Sequence, residues 1–424
     1  RKPAAKGMEN RKMVVMQSHL DMVHQKNNDT DFDFDTQGIE MYVDGDWVRA
    51  KGTTLGADNG LGVATIMAIL ESTDIAHPAI EALFTIDEET GMTGAKGLKG
   101  GILKGEILLN LDTEEDDELS VGCAGGVDVT AKTNYKEMAA PENAIAYTLE
   151  VKGLKGGHSG MDIHLGLGNA NKLMNRMLLA TKDAMLIHKI KGGSLRNAIP
   201  RESVAQIVVT SEEEFKKAYD KIVKDIRNEF KLIEPALEIS ARKSDETFDK
   251  VMSKEDQHTF LKVMAAAFNG VFRMSPDFED LVETSNNVAK VVVEEGSIVV
   301  ENLSRSAVES SKADLVNTLS SAFELAGYEV KTSGDYPGWQ PNLQSPILKV
   351  LEDLYIGING EKPNVAAGHG GLECGILKGH YPDMDMISFG PTIRGAHSPD
   401  ERASISSTQK YWHFVLEILK NIPE

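Results

Sequence analysis

Carboxylates and imidazoles stand at a few positions of this chain where an α/β fold would gather them. His19 and Asp21 come at the end of the apolar run Met13-Val14-Val15-Met16-Gln17-Ser18. Asp58 lies in Gly56-Ala57-Asp58-Asn59-Gly60, Glu88 and Glu89 follow an apolar run over 80–86, and Asp112 follows Ile107-Leu108-Leu109-Asn110-Leu111. His397 stands far downstream, in Gly395-Ala396-His397-Ser398-Pro399-Asp400-Glu401. Acids and imidazoles together suit a hard-to-borderline metal ion, and imidazole suits zinc in particular. Taken singly, each position has an ordinary explanation. A lone Asp at a strand end is commonly a cap or turn former, and acids favour the start of a helix. Taken as a set they agree with one rule: in open α/β sheets, ligands bind beyond the carboxyl ends of the strands. His19, Glu89 and Asp112 each follow a separate apolar strand.

The elements that would position these groups follow from hydrophobic periodicity. Strands are predicted over 13–18, 80–86 and 107–111, with a helix over 61–71 that places Val63, Ile66, Met67 and Leu70 on one face. A hairpin over 41–43 and 47–50 turns at Asp44-Gly45-Asp46. Such alternation is the signature of a mostly parallel sheet covered by helices. Between about 143 and 333 the pattern changes to what reads as two successive α+β units. The first has strands over 144–151, 185–190 and 204–209, with helices near 167–180 and 212–229. The second has strands over 236–240, 281–284, 291–294, 297–301 and 328–331, with helices near 257–267 and 311–325. From Gly334 the α/β pattern returns, with helices over 346–356 and 408–419 and a strand over 384–389. The expected organisation is therefore an α/β domain in two segments, residues 1–142 and 334–424, interrupted by an α+β insertion over 143–333.

Composition narrows the function classes. Among 424 residues, 45 Lys+Arg against 65 Asp+Glu leave a formal charge of −20. That balance argues against nucleic acid or an anionic membrane as a partner. No stretch reaches the ~18 apolar residues of a membrane span. The basic start, Arg1-Lys2-Pro3-Ala4-Ala5-Lys6-Gly7, lacks the apolar core of a signal peptide. The chain opens almost directly on a core strand without an initial Met, so a preceding helix and strand are expected in the natural protein. Two cysteines, Cys123 and Cys374, are too few for a disulfide scaffold and lack metal-motif spacing. They read as buried packing residues in a reducing cytosol. The acidic segment over 30–36 reads as a solvated loop.

Longer motifs surround the candidate residues. They are Ser18-His19-Leu20-Asp21-Met22-Val23, Gly52-Thr53-Thr54-Leu55-Gly56-Ala57-Asp58-Asn59-Gly60, Asp87-Glu88-Glu89 and Asp112-Thr113-Glu114-Glu115. Further along come Gly156-Gly157-His158-Ser159-Gly160, Leu195-Arg196-Asn197-Ala198-Ile199-Pro200, Tyr336-Pro337-Gly338-Trp339, Gly371-Leu372-Glu373-Cys374-Gly375 and the His397 segment. Together, and essentially from end to end, the chain resembles the M20-type co-catalytic zinc metallopeptidase family, which includes carboxypeptidase G, peptidase V and the aminoacylases.

The resemblance implies a zinc-peptidase catalytic domain with an inserted lid and dimerisation domain. It implies two zinc ions ~3.5–4 Å apart, with Mn2+ or Co2+ as substitutes. Asp58 would bridge them, His19 and Asp112 completing one ion and Glu89 and His397 the other. Asp21 would be the carboxylate that fixes the His19 tautomer, and Glu88 the general base. His158 would stabilise an oxyanion, in its own or a partner's site. Asn197 and Arg305 would bind the substrate carboxylate, with Arg196, Arg201 and Arg394 as rivals for that role. His164 and His369 are expected to be structural. The implied activity is hydrolysis of dipeptides, Xaa-His among them, by a cytoplasmic homodimer. The alternatives are an N-acyl amino acid deacylase or carboxypeptidase on the same scaffold, or an inactive binding homologue.

Overall fold

The strand Val14–His19 is buried at every position, as a strand covered on both faces must be. It lies in parallel register between Ile80–Thr85 and Ile107–Asn110, with His19 opposite Thr85 and Gln17 opposite Asn110. The three strands thus end at one level, and the segments carrying Glu88, Glu89 and Asp112 leave the sheet beside His19. This is the computed structural model of the chain, and it describes residues 1–27 and 29–424. It has two compact units: Arg1–Cys123 with Gly338–Glu424, and Ala124–Pro337.

The first unit holds a six-stranded sheet in the order Asn364–Gly368, Glu118–Cys123, Asp385–Ser388, Ile107–Asn110, Val14–His19, Ile80–Thr85. Four of its neighbouring pairs are parallel, and one, Asp385–Ser388 with Glu118–Cys123, is antiparallel. The mostly parallel mixed sheet anticipated from periodicity is what forms. A second, four-stranded sheet matters more for the site. Its strands are Met41–Asp44, Trp47–Ala50, Arg402–Ser404 and Ile393–Arg394, all antiparallel. Ile393–Arg394 and Arg402–Ser404 form a hairpin whose loop carries His397. Arg402–Ser404 also pairs with Trp47–Ala50, which leads into the loop before Asp58. The small sheet therefore anchors two site-bearing segments that are far apart in sequence.

The second unit is built on one continuous antiparallel sheet of nine strands. The helices Ala170–Thr181, Glu212–Phe230, Lys254–Ala266 and Glu309–Leu325 share a single core with it, built on alternating strand residues such as Tyr147, Leu149 and Val151. Two successive α+β units were expected here, and the sheet joins them into one. The reason lies in Val282–Glu294, a single strand of 13 residues buried over its first eight. Its middle, Ser285-Asn286-Asn287, is polar and reads as a break in sequence. Asn287 donates to the carbonyls of Arg196 and Ala198, and Asn286 to that of Phe268, so these amides are satisfied inside. The strands Glu118–Cys123 and Gly125–Asn134 also escape periodicity. Gly125–Asn134 lies between Ser297–Ser306 and Glu329–Tyr336 in the large sheet, so the second unit begins at Ala124 rather than near residue 143. Among the described residues no helix is long and apolar enough to cross a membrane.

Candidate metal centre

His19 is 1% exposed. Its Nδ1 lies 3.0 Å from the carbonyl of Asp21, which assigns the ring proton to Nδ1 and turns Nε2 toward the carboxylates. Nε2 is 3.1 Å from Asp58 Oδ1 and 3.3 Å from Asp112 Oδ1. The other oxygen of Asp58 faces the second imidazole, with Oδ2 3.3 Å from His397 Nε2, which also lies 3.1 Å from Glu89 Oε2. Donor atoms of His19, Asp58 and Asp112 fall within 4.8 Å of one another, as do those of Asp58, Glu89 and His397. Asp58 belongs to both groups. A third group joins His19 to Glu88 and Glu89.

Local structure explains how these side chains come together. Asp58 stands in the first turn of Ala57–Glu71, where Asp58 and Asn59 leave helical geometry. Asn59 is 3% exposed; its amide donates to the Leu111 carbonyl and to Asp112, and Ser18 donates to its side-chain oxygen. One amide thereby ties together the neighbours of His19, Asp58 and Asp112. Gly62 permits this close approach, since a Cβ there would sit 2.1 Å from Asn59 Oδ1. The Asp21 carboxylate has a different task from the one its spacing suggests. It accepts the N–H groups of both Glu88 and Glu89 at 3.1 Å, and it stays 3.6 Å from His19 Nδ1. The imidazole Nδ1–H donates instead to Asp21's own carbonyl. Asp21 thus orients the two glutamates as well as the histidine.

Electrostatics here are dominated by crowded acid. Burial works to lower the pKa of His19, yet its hydrogen bonds to the Asp112 and Asp58 carboxylates outweigh it and hold the imidazole up at about 12. Asp58 and Glu89 likewise raise His397, to about 10. Burial, reinforced by Asp112, pushes Glu88 well above the ordinary carboxylate range. Glu373, which sequence spacing did not single out, is fully buried beneath this cluster. It accepts from Gln17 at 2.7 Å and Thr85 at 2.5 Å, and burial raises it to about 7.

This donor set fits divalent ions. Both triads offer the carboxylate and imidazole ligands of a co-catalytic pair. Asp58, Glu89 and Asp112 supply carboxylate oxygens and His19 and His397 supply ring nitrogens, with Glu88 beside them. Glu89 Oε1 is buried without a hydrogen-bond partner, as an atom directed at a metal would be.

Unit two gathers the other predicted residues. His158 pairs with Ala198, next to Asn197, and Ser159 N–H donates to the Asn197 carbonyl at 2.7 Å. Arg305 is 5% exposed, with Nη2 3.4 Å from His158 Nε2, Nη1 3.0 Å from the Tyr336 hydroxyl and Nε 3.4 Å from Ser159 Oγ. Among the described residues no carboxylate lies within ion-pair distance of it. Its rivals are engaged elsewhere: Arg196 with Asp128 and Glu301, Arg394 with Glu115, and Arg201 with the Leu154 carbonyl.

An α/β domain that brings together two groups of candidate ligands sharing one carboxylate, with a further glutamate beside them, has the form of a co-catalytic metallohydrolase. The chain belongs to peptidase family M20/M25/M40, whose family model matches residues 15–421. Peptidases of this family are metal-dependent hydrolases of peptide bonds. The chain is 44% identical to the cytosol non-specific dipeptidase of Escherichia coli over 428 aligned positions, covering 100% of this chain and 88% of the relative. Its structure is similar to the crystal structure of aminoacylhistidine dipeptidase from Vibrio alginolyticus, with a TM-score of 0.92 and 46% identity over 100% of this chain and 87% of the other. The aminopeptidase PepT of Bacillus cereus shares the fold at a TM-score of 0.54 and 16% identity, over 99% of this chain and 83% of the other.

Proposed function

We propose that this protein is a dizinc dipeptidase that accepts Xaa-His and other dipeptides. The observation that carries the reading is the pair of triads sharing Asp58, with Glu88 beside them and belonging to neither. His19, Asp58 and Asp112 would hold one ion, and Asp58, Glu89 and His397 the other. Bound there, the ions would polarise the scissile carbonyl and lower the pKa of the attacking water. Glu88 receives the proton of that water and returns it to the departing amine. Asp21 keeps Glu88 and Glu89 oriented through their backbone N–H groups.

His158, Asn197 and Arg305 recognise the anionic end of the substrate. Backbone N–H groups of Gly160 and Met161 donate to His158 Nδ1 at 3.3 and 3.1 Å, which leaves the proton of the neutral ring on Nε2. Nε2–H and the Arg305 guanidinium are then two donors side by side, an arrangement an oxyanion or carboxylate would reconcile. A buried guanidinium without an acid partner is costly until a ligand supplies one. The insertion serves as lid and dimerisation module, and two free buried cysteines suit a cytoplasmic protein.

The same-scaffold alternatives lack support from the full-length relatives, both of which are named as dipeptidases. A substrate panel tests the choice. Carnosine and Leu-Gly should be hydrolysed. N-acetyl amino acids, which lack the free amine of a dipeptide, and a hexapeptide, whose carboxylate lies several residues beyond the scissile bond, should show kcat/KM at least about 100-fold lower. Comparable turnover of hexapeptide and dipeptide would overturn the dipeptide reading, and preference for N-acetyl amino acids would make the protein a deacylase.

A further inference from the structure

Glu401 has only 2% of its surface exposed, and its carboxylate is spent on the loop that carries Asp58. Oε2 accepts the N–H groups of Leu55 at 2.6 Å and Gly56 at 3.0 Å; Oε1 accepts those of Ala57 at 2.8 Å and Asp58 at 3.3 Å. These donors open the helix Ala57–Glu71, whose N-cap Gly56 has left-handed geometry (φ 74°) and offers no side chain to cap them. The acid that satisfies them comes from more than 340 residues away in sequence.

What makes this more than a helix cap is where Glu401 is attached. It ends the tight loop that carries His397. Glu401 N–H donates to the Ser398 carbonyl at 3.0 Å, Ser398 Oγ donates to the Gly395 carbonyl at 2.7 Å, and both Gly395 and His397 take positive φ, 67° and 64°. His397 Nε2 faces the Asp58 carboxylate at 3.3 Å, while Glu401 grips the Asp58 N–H. One short loop therefore holds Asp58 by side chain and by backbone at once. A site of this kind must be fixed to within about 0.5 Å, and the groups behind the ligands set that precision.

We propose that Glu401 is a positioning residue of the metal centre: it locks the shared carboxylate Asp58 and the imidazole of His397 into one geometry. The proposal rests on the two-ion reading above. A Gln at 401 would keep the volume, but its NH2 group would face backbone N–H donors, so the lock would open on one side.

The test is Zn2+ and Co2+ binding to metal-free protein, by competition with a chromophoric chelator and by the visible absorption of bound Co2+. Glu401→Gln should weaken one of two sites by about 10–100-fold and alter the Co2+ spectrum. Asp46→Asn is the control. Asp46 also holds a helix start, accepting from Ser404 and from the N–H and hydroxyl of Ser406, without touching the cluster. It should lower thermal stability and leave both affinities and the spectrum unchanged. If Glu401→Gln does not fold, Glu401→Asp carries the test, with the same weakening expected from its shorter reach. Wild-type affinities in a folded Glu401 variant, or equal losses in the Asp46 control, would overturn the proposal. Wild-type protein that binds no pair of ions would instead overturn the two-ion reading.

Discussion

Replacing Glu88 with Gln should lower kcat on dipeptides by about 10²–10⁴-fold, the usual contribution of a positioned proton carrier, while the protein keeps its full metal content. The loss corresponds to about 3–5 kcal/mol of barrier. The argument turns on a division of labour between adjacent residues. Glu89 faces His397 at 3.1 Å and has one buried oxygen without a hydrogen-bond partner. Glu88 lies in neither triad that contains Asp58, although it comes within ligand range of His19 and Glu89. Gln preserves the shape of the side chain but can neither take up nor release a proton. Kinetics read alongside metal analysis separate the roles. Low kcat with full metal content makes Glu88 the base, low kcat with one ion lost makes it a ligand, and unchanged kcat removes it from the mechanism.

Asp58→Ala should be at least as damaging, by another route. Each oxygen of Asp58 faces a different imidazole, 3.1 Å from His19 and 3.3 Å from His397. Removing the carboxylate leaves each triad with two donors and deletes the charge between two like-charged ions. We expect both sites to weaken by more than about 100-fold, beyond the cost of losing even a supporting partner, and activity to fall to background. Asp112→Ala should weaken one site only, since Asp112 approaches His19 but belongs to no group with His397. Titration of the two metal-free variants distinguishes the cases; retention of one tight site in Asp58→Ala would refute a bridging role.

Much of this centre is legible in the chain because strand ends are. An apolar run fixes a buried strand, and the polar residue that ends it must lie at the rim of the sheet. His19, Glu88, Glu89 and Asp112 are visible on that ground alone. Asp58 is not: it stands in the first turn of a helix, where an acid is ordinary, and only the motif around it singles it out. His397 follows no core strand but rides a hairpin loop, so its place depends on pairing with Trp47–Ala50, a long-range contact that periodicity does not encode. Asn59 and Glu401 are hidden for a related reason. Each looks like a turn residue, and each acts through hydrogen bonds to segments distant in sequence. The second unit shows the converse. Its helices are plain from their amphipathic faces, while the polar middle of Val282–Glu294 conceals a buried strand.

The most direct test of the two-ion dipeptidase is metal content measured together with carnosine and Leu-Gly hydrolysis, before and after chelation and after adding back Zn2+, Mn2+ or Co2+. Two ions per chain, activity abolished on their removal and restored on their return are the predicted results. Dipeptide hydrolysis that survives complete metal removal, or no hydrolysis with any metal in a protein that binds two ions, would contradict it.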